Sequence, residues 1–262
     1  MSDAFEIPTD LAGPVVTTAI HAGHELRPEV SEMIVLDERT RLREEDPFTD
    51  LIAAGAETPV VANRSRFEVD LNRPRDRAVY SSASESWGLD PWKSDVPGDV
   101  AERSLAVHDE FYSELAQALD RLATRGPFVV FDVHSYNHRR GGVDAPPAPA
   151  AENPEVNVGT GSLDRDRWAP VVAALVEGLR ETTLHGRCLD VRENVKFEGA
   201  QLARWIHQRY PGRGCALALE FKKTFMDEWT GAVDPRHLVG LQDALADVVP
   251  AVSDSLERVP NR

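Results

Sequence analysis

The sequence predicts an α/β fold in which helices cover both faces of a largely parallel central sheet. Short β-branched apolar runs indicate buried strands, and longer amphipathic segments between them indicate helices. Strands that are buried on both faces have continuous apolar runs of this kind. At 262 residues the chain is within the range of one large α/β unit, so we expect a single domain over residues 1–262.

Five segments have the length and composition of strands. Residues 15–20 are mostly β-branched, follow Gly13-Pro14 and end just before His21. Residues 67–71 alternate apolar and acidic side chains, a pattern that is typical of strands. The other predicted strands are residues 58–62, 128–134 and 215–220.

Four segments have the apolar spacing of amphipathic helices. The first begins near Val100 and places Leu105, Phe111 and Leu115 on one face. It ends at Gly126, which is followed by proline. The other predicted helices are residues 168–184, 199–210 and 235–258.

The charge balance disfavours two classes of partner. The chain carries 44 acidic and 29 basic residues, which gives a net charge of -15. A field of that sign repels phosphate backbones and anionic lipid, so we expect neither nucleic acid nor a membrane surface as a partner. The acidic start of the chain and the lack of an apolar run of ~18 residues predict a cytoplasmic protein. Cys188 and Cys215 lie far apart, which disfavours a thiolate metal site and a disulfide framework.

Three polar side chains close or follow predicted strands: His21, His134 and Glu220. In open α/β sheets the ligand crevice lies outside the carboxyl ends of the strands, so these side chains are expected to converge. Two neutral imidazoles and one carboxylate are a common ligand set of catalytic zinc. The sequence therefore predicts a zinc site that needs one acidic ligand. Residues 137–153, which include a proline-rich stretch, are predicted to form a loop that lines or covers this site.

The third ligand has several candidates. Four carboxylates lie within seven positions, at Glu44, Glu45, Asp46 and Asp50, although charge runs of this kind also form ordinary solvated surface. His24 is a rival, because an H-x-x-H pair in a loop can bind a metal through both rings. That spacing alone is weak evidence. The residues alone do not decide which of these side chains is the third ligand.

Arginines cluster beside the predicted strand at residues 67–71. The guanidinium group binds a carboxylate through two parallel hydrogen bonds, and the nearby Asn72 offers both a donor and an acceptor. In an acidic protein such a cluster either recognises an anionic substrate or pairs with the protein's own carboxylates. Its members are Arg64, Arg66, Arg73, Arg75 and Arg77.

An ordered set of short motifs resembles the N-formylglutamate amidohydrolase family, within the zinc carboxypeptidase and aspartoacylase-like group. The set runs from about residue 15 to about residue 230, and its order is more specific than any single motif. The motifs are a strand followed by His21-Ala22-Gly23, Glu45-Asp46-Pro47-Phe48-Thr49-Asp50, the segments 65–74 and 131–135, Asn157-Val158-Gly159-Thr160, the segment 194–199 and Leu219-Glu220.

The resemblance implies both a fold and a cofactor. The fold is a phosphorylase/hydrolase-like three-layer sandwich with a mostly parallel mixed central sheet. The cofactor is Zn²⁺, with His21 and His134 in the positions of the two histidine ligands. Asp46 matches the acidic ligand, and Glu45 beside it is the competing choice.

The resemblance also implies the reaction. Glu220 matches the catalytic glutamate, which acts as the general base. Arg66, Asn72 and Arg73 resemble the residues that hold the substrate carboxylate or the oxyanion, with Arg66 as a catalytic group and the other two as substrate-binding groups. The implied activity is zinc-dependent hydrolysis of an amide bond in a small carboxylated substrate, such as an N-formyl or N-acyl amino acid.

The chain departs from the family pattern in ways that concern the acyl substrate more than the metal or the reaction. Ile20 precedes His21 where the family has proline, and His24 lies where small or hydroxyl residues are more usual. The segment between Asp50 and Thr58 is shorter than in the formylglutamate enzymes. The loop at 137–153 has no clear counterpart.

Two other functions are compatible with the resemblance. One is a carboxypeptidase-like peptidase, and the other is an inactive relative that binds a carboxylated ligand. Loss of catalysis is disfavoured because the whole implied set of metal ligands and base is present. A serine nucleophile at Ser135 is disfavoured too, because no G-x-S-x-G motif is present and it neighbours His134 on a strand, where adjacent side chains point to opposite faces.

Overall fold

The computed structural model describes residues 3–56 and 59–259, and a seven-stranded mixed sheet forms its centre. The strands of this sheet are β1 (Phe5–Glu6), β2 (Val15–Ala19), β3 (Val60–Ala62), β4 (Phe128–Tyr136), β5 (Val156–Gly159), β8 (Val191–Glu193) and β9 (Gly214–Lys222). A separate hairpin pairs β6 (Thr183–Leu184) with β7 (Arg187–Cys188).

The strand order across the sheet is β1-β3-β2-β4-β9-β5-β8. The four neighbours β3, β2, β4 and β9 run parallel to one another. Strand β1 is antiparallel to β3, and β5 is antiparallel to β9 but parallel to β8. The predicted α/β class with a mostly parallel mixed sheet is therefore confirmed.

Helices lie on both sides of this sheet. Within the described ranges they are α1 (Pro28–Met33), α2 (Glu38–Glu44), α3 (Thr49–Ala53), α4 (Gly98–Arg125), α5 (Ala169–Glu181), α6 (Gln201–Arg209) and α7 (Pro235–Ser255). In the part of the chain that the structure describes, no helix is both long enough and apolar enough to cross a membrane.

Alternate residues of the central strands enter two hydrophobic cores. In β4, Val129, Phe131 and Val133 pack into the core formed with α3, α5 and α7. Phe128 and Val130 pack into the opposite core, formed with α4 and α6. All five side chains are buried, and each such burial contributes about 1.5–3 kcal/mol. A strand covered on both faces has to be apolar throughout, which explains the continuous apolar run in the sequence.

The predicted strand at residues 67–71 is wrong. The segment forms turns, and the N–H of Glu68 donates to the carbonyl of Ser65 at 2.9 Å. Its acidic side chains are buried rather than exposed. Glu68 accepts hydrogen bonds from the backbone and the guanidinium of Arg27, both at 2.7 Å. Asp70 forms an ion pair with Arg66 at 2.8 Å. The apolar and the acidic side chains of this segment are therefore both buried, the apolar ones in the hydrophobic core and the acidic ones against polar partners.

The other predicted elements are present with shifted ends. The helix predicted to reach residue 184 ends at Glu181, because the next residues enter the β6–β7 hairpin. Part of the strand predicted over residues 58–62 is β3, while Thr58 lies outside the described residues. The loop at 137–153 is irregular, apart from a short 3-10 turn at Ala150–Glu152.

Three sheet strands, β1, β5 and β8, do not follow from the sequence pattern. Strand β5 contains Asn157, whose side chain is fully buried. Its Oδ1 accepts hydrogen bonds from the N–H groups of Val195 and Lys196, at 3.0 and 2.9 Å. A buried amide with such partners is stable inside a sheet. Because asparagine is polar, however, this segment lacks the continuous apolar run from which a buried strand is predicted.

The segment after β2 passes very close to the end of β3. A Cβ atom on Gly23 would lie 2.3 Å from the carbonyl carbon of Asn63 and 2.6 Å from the carbonyl oxygen of Ala62. The N–H of Glu25 donates to the carbonyl of Asn63 at 3.0 Å, which fixes the approach. Glycine at position 23 is therefore required by backbone contact.

We expect Gly23→Ala to destabilise the protein by about 2 kcal/mol or more, because the backbone atoms that the methyl group meets cannot move independently. Gly13→Ala is the matched control, since nothing lies within 4 Å of its Cβ position. Urea unfolding of both variants measures the difference. Equal midpoints for the two variants would contradict the close approach.

Candidate active site

A cavity of about 400 Å³ lies at the carboxyl ends of β2, β4 and β9. It is lined by the predicted site residues His21, Asp46, Arg66, Asn72, Arg73, His134 and Glu220. The parallel strands bring these residues together, because their carboxyl ends meet at one edge of the sheet. Other residues that line it include Glu44, Asp70, Arg77, Trp87, Tyr136, Arg140, Phe197, Arg204 and Lys223.

Two imidazoles and one carboxylate form the floor of the cavity. The Oδ2 of Asp46 lies 3.0 Å from Nδ1 of His134 and 3.4 Å from Nδ1 of His21. One ligand atom from each residue lies within 4.8 Å of the other two, and all three residues are buried. The Nδ1 of His21 is a buried atom without a hydrogen bond among the described residues. This arrangement has the donor atoms and the spacing for one metal cation.

The far side of each imidazole faces a second buried carboxylate. The Nε2 of His21 lies 2.7 Å from Oδ1 of Asp70, and the Nε2 of His134 lies 3.0 Å from Oδ2 of Asp132. A carboxylate at Nε2 favours the tautomer that carries its proton there. Both Nδ1 lone pairs are then directed toward Asp46.

Asp46 reaches this position because the end of α2 is held from two sides. Its N–H donates to the carbonyl of His21 at 2.9 Å. The Nζ of Lys223, just beyond β9, donates to the carbonyls of Arg43 and Glu45, each at 2.6 Å. Lys223 is itself buried, so these bonds form away from water. The backbone that leads into Asp46 is therefore fixed to the ends of β2 and β9.

The rival candidates for the third ligand contact each other. The Nδ1 of His24 makes a short hydrogen bond with the carboxylate of Glu45. Ser65 donates to the same carboxylate, and Arg41 donates to it at 3.4 Å. These contacts direct both rivals away from His21, and Asp46 is the acidic residue that lies between the two histidines.

The charges on the cavity floor are strongly coupled. Burial alone would raise the pKa of Asp46, but the adjoining imidazoles of His134 and His21 hold it far below its usual value. Burial alone would lower the pKa of His134, but the carboxylates of Asp132 and Asp46 outweigh it and raise that pKa well above the ordinary value. The floor therefore favours a positive charge between these groups, which a proton or a metal cation can supply.

Glu220 lies beside His134 on the neighbouring strand. The two residues are directly paired across β4 and β9, and both line the cavity. Burial raises the pKa of Glu220 to about 8. A carboxyl group with a pKa near neutrality can both accept and return a proton, as a general base and acid must.

Arg66 is held against the wall of the cavity by several contacts. It donates to Oδ2 of Asp70 at 2.8 Å and to the hydroxyl of Tyr80 at 3.1 Å. Its guanidinium carbon lies 4.6 Å from the centre of the Trp87 ring. Burial opposes the charge, but Asp70 outweighs it and raises the pKa of Arg66 above the ordinary value. Arg66 is therefore a fixed positive charge next to His21.

Asn72 and Arg73 also line the cavity, and both make internal contacts. The Oδ1 of Asn72 accepts from the N–H of Leu202 at 3.0 Å, which connects it to the start of α6, and its Nδ2 lies 3.1 Å from Nε2 of His134. Arg73 donates to the carbonyl of Glu85, and its guanidinium carbon lies 4.5 Å from the centre of the Tyr80 ring. Each of these side chains therefore already uses some of its hydrogen-bonding groups in contacts within the protein.

Sequence reasoning misses three residues of this site. Asp132 precedes His134 by two positions in β4, and that spacing on a strand is a usable signal that both side chains share one face. Asp70 lies in the segment that is wrongly predicted as a strand. Lys223 gives no signal in the sequence, because its role depends on carbonyl groups about 180 positions earlier.

The chain matches known proteins in family and in fold. A sequence model of the N-formylglutamate amidohydrolase family matches residues 13–226. The crystal structure of N-formylglutamate amidohydrolase from Ralstonia eutropha JMP134 is 19% identical, with 98% of each chain covered and a TM-score of 0.72. A gene product of Agrobacterium tumefaciens is 15% identical, covers 97% of this chain and 96% of its own, and has a TM-score of 0.64. At these identities the two structures show a shared fold. No curated protein matches the sequence.

We expect Lys223→Met to destabilise the protein by about 2 kcal/mol, because the buried carbonyl of Glu45 loses its hydrogen-bond donor. Lys222→Met is the matched control, since its half-buried Nζ makes one bond, at 2.9 Å to the carbonyl of Asn153, which water can replace. Urea unfolding compares the two. A control as destabilised as Lys223→Met would show that Lys223 does not fix the Asp46 segment.

Proposed function

The chain belongs to the N-formylglutamate amidohydrolase family, and from this membership and the cavity we propose a zinc-dependent hydrolase of small carboxylated amides. Family membership supports a hydrolase of the N-formylglutamate amidohydrolase type. Our proposal adds the metal, the residues that act, and a substrate such as an N-formyl or N-acyl amino acid. We further propose that residues 1–262 form a single domain and that no nucleic acid is a partner.

One observation carries the metal assignment. His21 and His134 direct their Nδ1 atoms toward Asp46, and the Nδ1 of His21 is buried without a hydrogen bond among the described residues. A buried nitrogen that lacks a partner costs about 1–3 kcal/mol unless something binds it. Two imidazoles and a carboxylate fit zinc better than calcium or magnesium, which prefer oxygen ligands. We therefore assign these three residues as zinc ligands.

Zinc, when bound, supplies Lewis-acid polarisation of the scissile carbonyl and of water. Glu220 takes the proton of the attacking water and later gives it to the leaving amine nitrogen. Its pairing with His134 across β4 and β9 keeps the carboxyl group at the cavity floor through both steps. The carbon–nitrogen bond breaks as the amine leaves, and no covalent link to the protein forms.

Arg66 stabilises the oxyanion that develops on the carbonyl oxygen. Its contacts with Asp70, Tyr80 and Trp87 fix its orientation before substrate arrives. A donor that is fixed in advance costs no reorganisation when charge develops, which makes it effective in a site with little water.

Arg73 and Asn72 bind the substrate carboxylate in this proposal. A guanidinium group offers two parallel donors to a carboxylate, and Arg73 lines the cavity while it also donates to the carbonyl of Glu85 and pairs with Asp70. Arg204, which is exposed on α6 and makes no ion pair among the described residues, is a further cation at the cavity wall. A volume of about 400 Å³ accommodates a small acyl amino acid more readily than a longer peptide.

The proposal is tested by loading the chelator-treated protein with zinc and screening N-formyl amino acids, N-acetyl amino acids and short peptides for hydrolysis. We expect zinc-dependent turnover of an acyl amino acid, and we expect His134→Ala to lose both the activity and one bound zinc. The measurements are released amine and zinc content by elemental analysis. Stoichiometric zinc at the cavity of His134→Ala, or turnover unaffected by chelator, would contradict the assignment.

Replacement of Glu220 by glutamine should lower kcat by about 10²- to 10⁴-fold, because the amide keeps the shape of the side chain but cannot accept the proton. Zinc content and the unfolding midpoint should stay near those of the parent. Glu152→Gln is the control, since Glu152 is exposed and does not line the cavity. Near-parental kcat in Glu220→Gln with bound zinc would place the base elsewhere.

Arg73→Lys should raise KM for an acidic substrate about tenfold, and much less for its amide analogue, because lysine cannot form two parallel bonds to a carboxylate. The comparison of two substrates removes any general effect on folding. Arg75→Lys is the control, because Arg75 pairs with Asp109 and Glu102 outside the cavity. Equal KM changes for the acid and the amide would contradict carboxylate recognition by Arg73.

A further inference from the structure

A second histidine and carboxylate cluster lies outside the cavity. His185, Asp234 and His237 each offer a ligand atom, and these atoms lie within 4.8 Å of one another. None of the three lines the cavity described above. The two imidazole rings meet edge to face, with centroids 5.0 Å apart and an interplanar angle of 67°.

The fold joins two segments at this point. His185 is at the turn of the β6–β7 hairpin, with a positive φ of 51°. Asp234 and His237 belong to the start of α7. The hairpin packs tightly on that helix, since a Cβ atom on Gly240 would lie 2.5 Å from Cδ2 of Leu184. The cluster therefore spans a close contact between the hairpin and α7.

The imidazole of His237 is buried and makes no hydrogen bond with any residue that the structure describes. The residue is 6% exposed, and its ring is directed toward His185 and Asp234. An imidazole without a hydrogen-bond partner keeps a ring nitrogen available to a metal ion.

Asp234 has one role that is independent of any ligand. Its Oδ1 accepts from the N–H groups of Arg236 and His237, at 3.0 and 3.2 Å, and so caps α7. Asparagine or serine would cap the helix equally well. Asp234 is exposed and makes no ion pair with lysine or arginine in the described ranges, so its carboxylate can reach a ligand beside the two histidines.

We propose that His185, Asp234 and His237 bind a second divalent transition-metal ion of the zinc class. Two imidazoles and a carboxylate form the same donor set as at the cavity floor, with a remaining position for water. The ion connects the β6–β7 hairpin to the start of α7, across the contact between Leu184 and Gly240. Its role is structural, and it is independent of the hydrolase reaction.

The test is a titration of the chelator-treated full chain with Zn²⁺, in the parent and two variants. His185→Asn removes an exposed ligand, and asparagine tolerates the positive φ at this turn. Asp234→Asn removes the carboxylate but keeps the cap. Asp254→Asn, an exposed position on the same helix, is the control.

We expect the parent and Asp254→Asn to bind two zinc ions, and His185→Asn and Asp234→Asn to lose one. Zinc should raise the Tm of His134→Ala, which keeps this second site, and should not raise that of His134→Ala with His185→Asn. Equal zinc stoichiometry in the parent and His185→Asn would overturn the proposal. A parent with one zinc that His185→Asn loses would support it and would instead refute zinc binding at the cavity.

Discussion

The carboxylate of Asp46 lies between two buried imidazoles, and much of the surrounding structure keeps it there. Isolated carboxylates do not remain charged away from water, so this one depends on His21 and His134 for its ionised form. The histidines depend in turn on Asp70 and Asp132 behind them. Asp70 has further partners in Arg66 and Tyr80, and Asp132 accepts from Thr18, so the buried charges behind the histidines are themselves stabilised.

The parallel sheet makes this unit possible. Strands β2, β4 and β9 end at the same edge, so His21, His134 and Glu220 meet although they are far apart in the chain. The acidic residue comes from outside the sheet, at the end of α2, and Lys223 fixes its backbone to β9. The rigid strands place the imidazoles, and hydrogen bonds to the backbone place the carboxylate.

Some arginines of the cluster at residues 64–77 only pair with the protein's own carboxylates, whereas others also line the cavity. Arg75 pairs with exposed carboxylates on α4, and this pairing serves the fold alone. Arg66 pairs with Asp70 and also lines the cavity, so the same contact that neutralises Asp70 orients a cation at the cavity wall. Recognition of a substrate and pairing with the protein's own carboxylates are therefore compatible at this position.

The sequence by itself determined the α/β class and the convergence of His21, His134 and Glu220, because apolar runs and strand ends are local properties of the chain. Local patterns failed at residues 67–71, where the acidic residues of an alternating segment are buried by partners from distant segments. They also left Glu44, Glu45, Asp46, Asp50 and His24 open as the third ligand, which the family resemblance alone narrowed to Asp46 with Glu45 as the competing choice. Only the tertiary structure places Asp46 between His21 and His134, because Ser65 and Arg41 turn Glu45 toward His24 while Lys223 holds the backbone that presents Asp46.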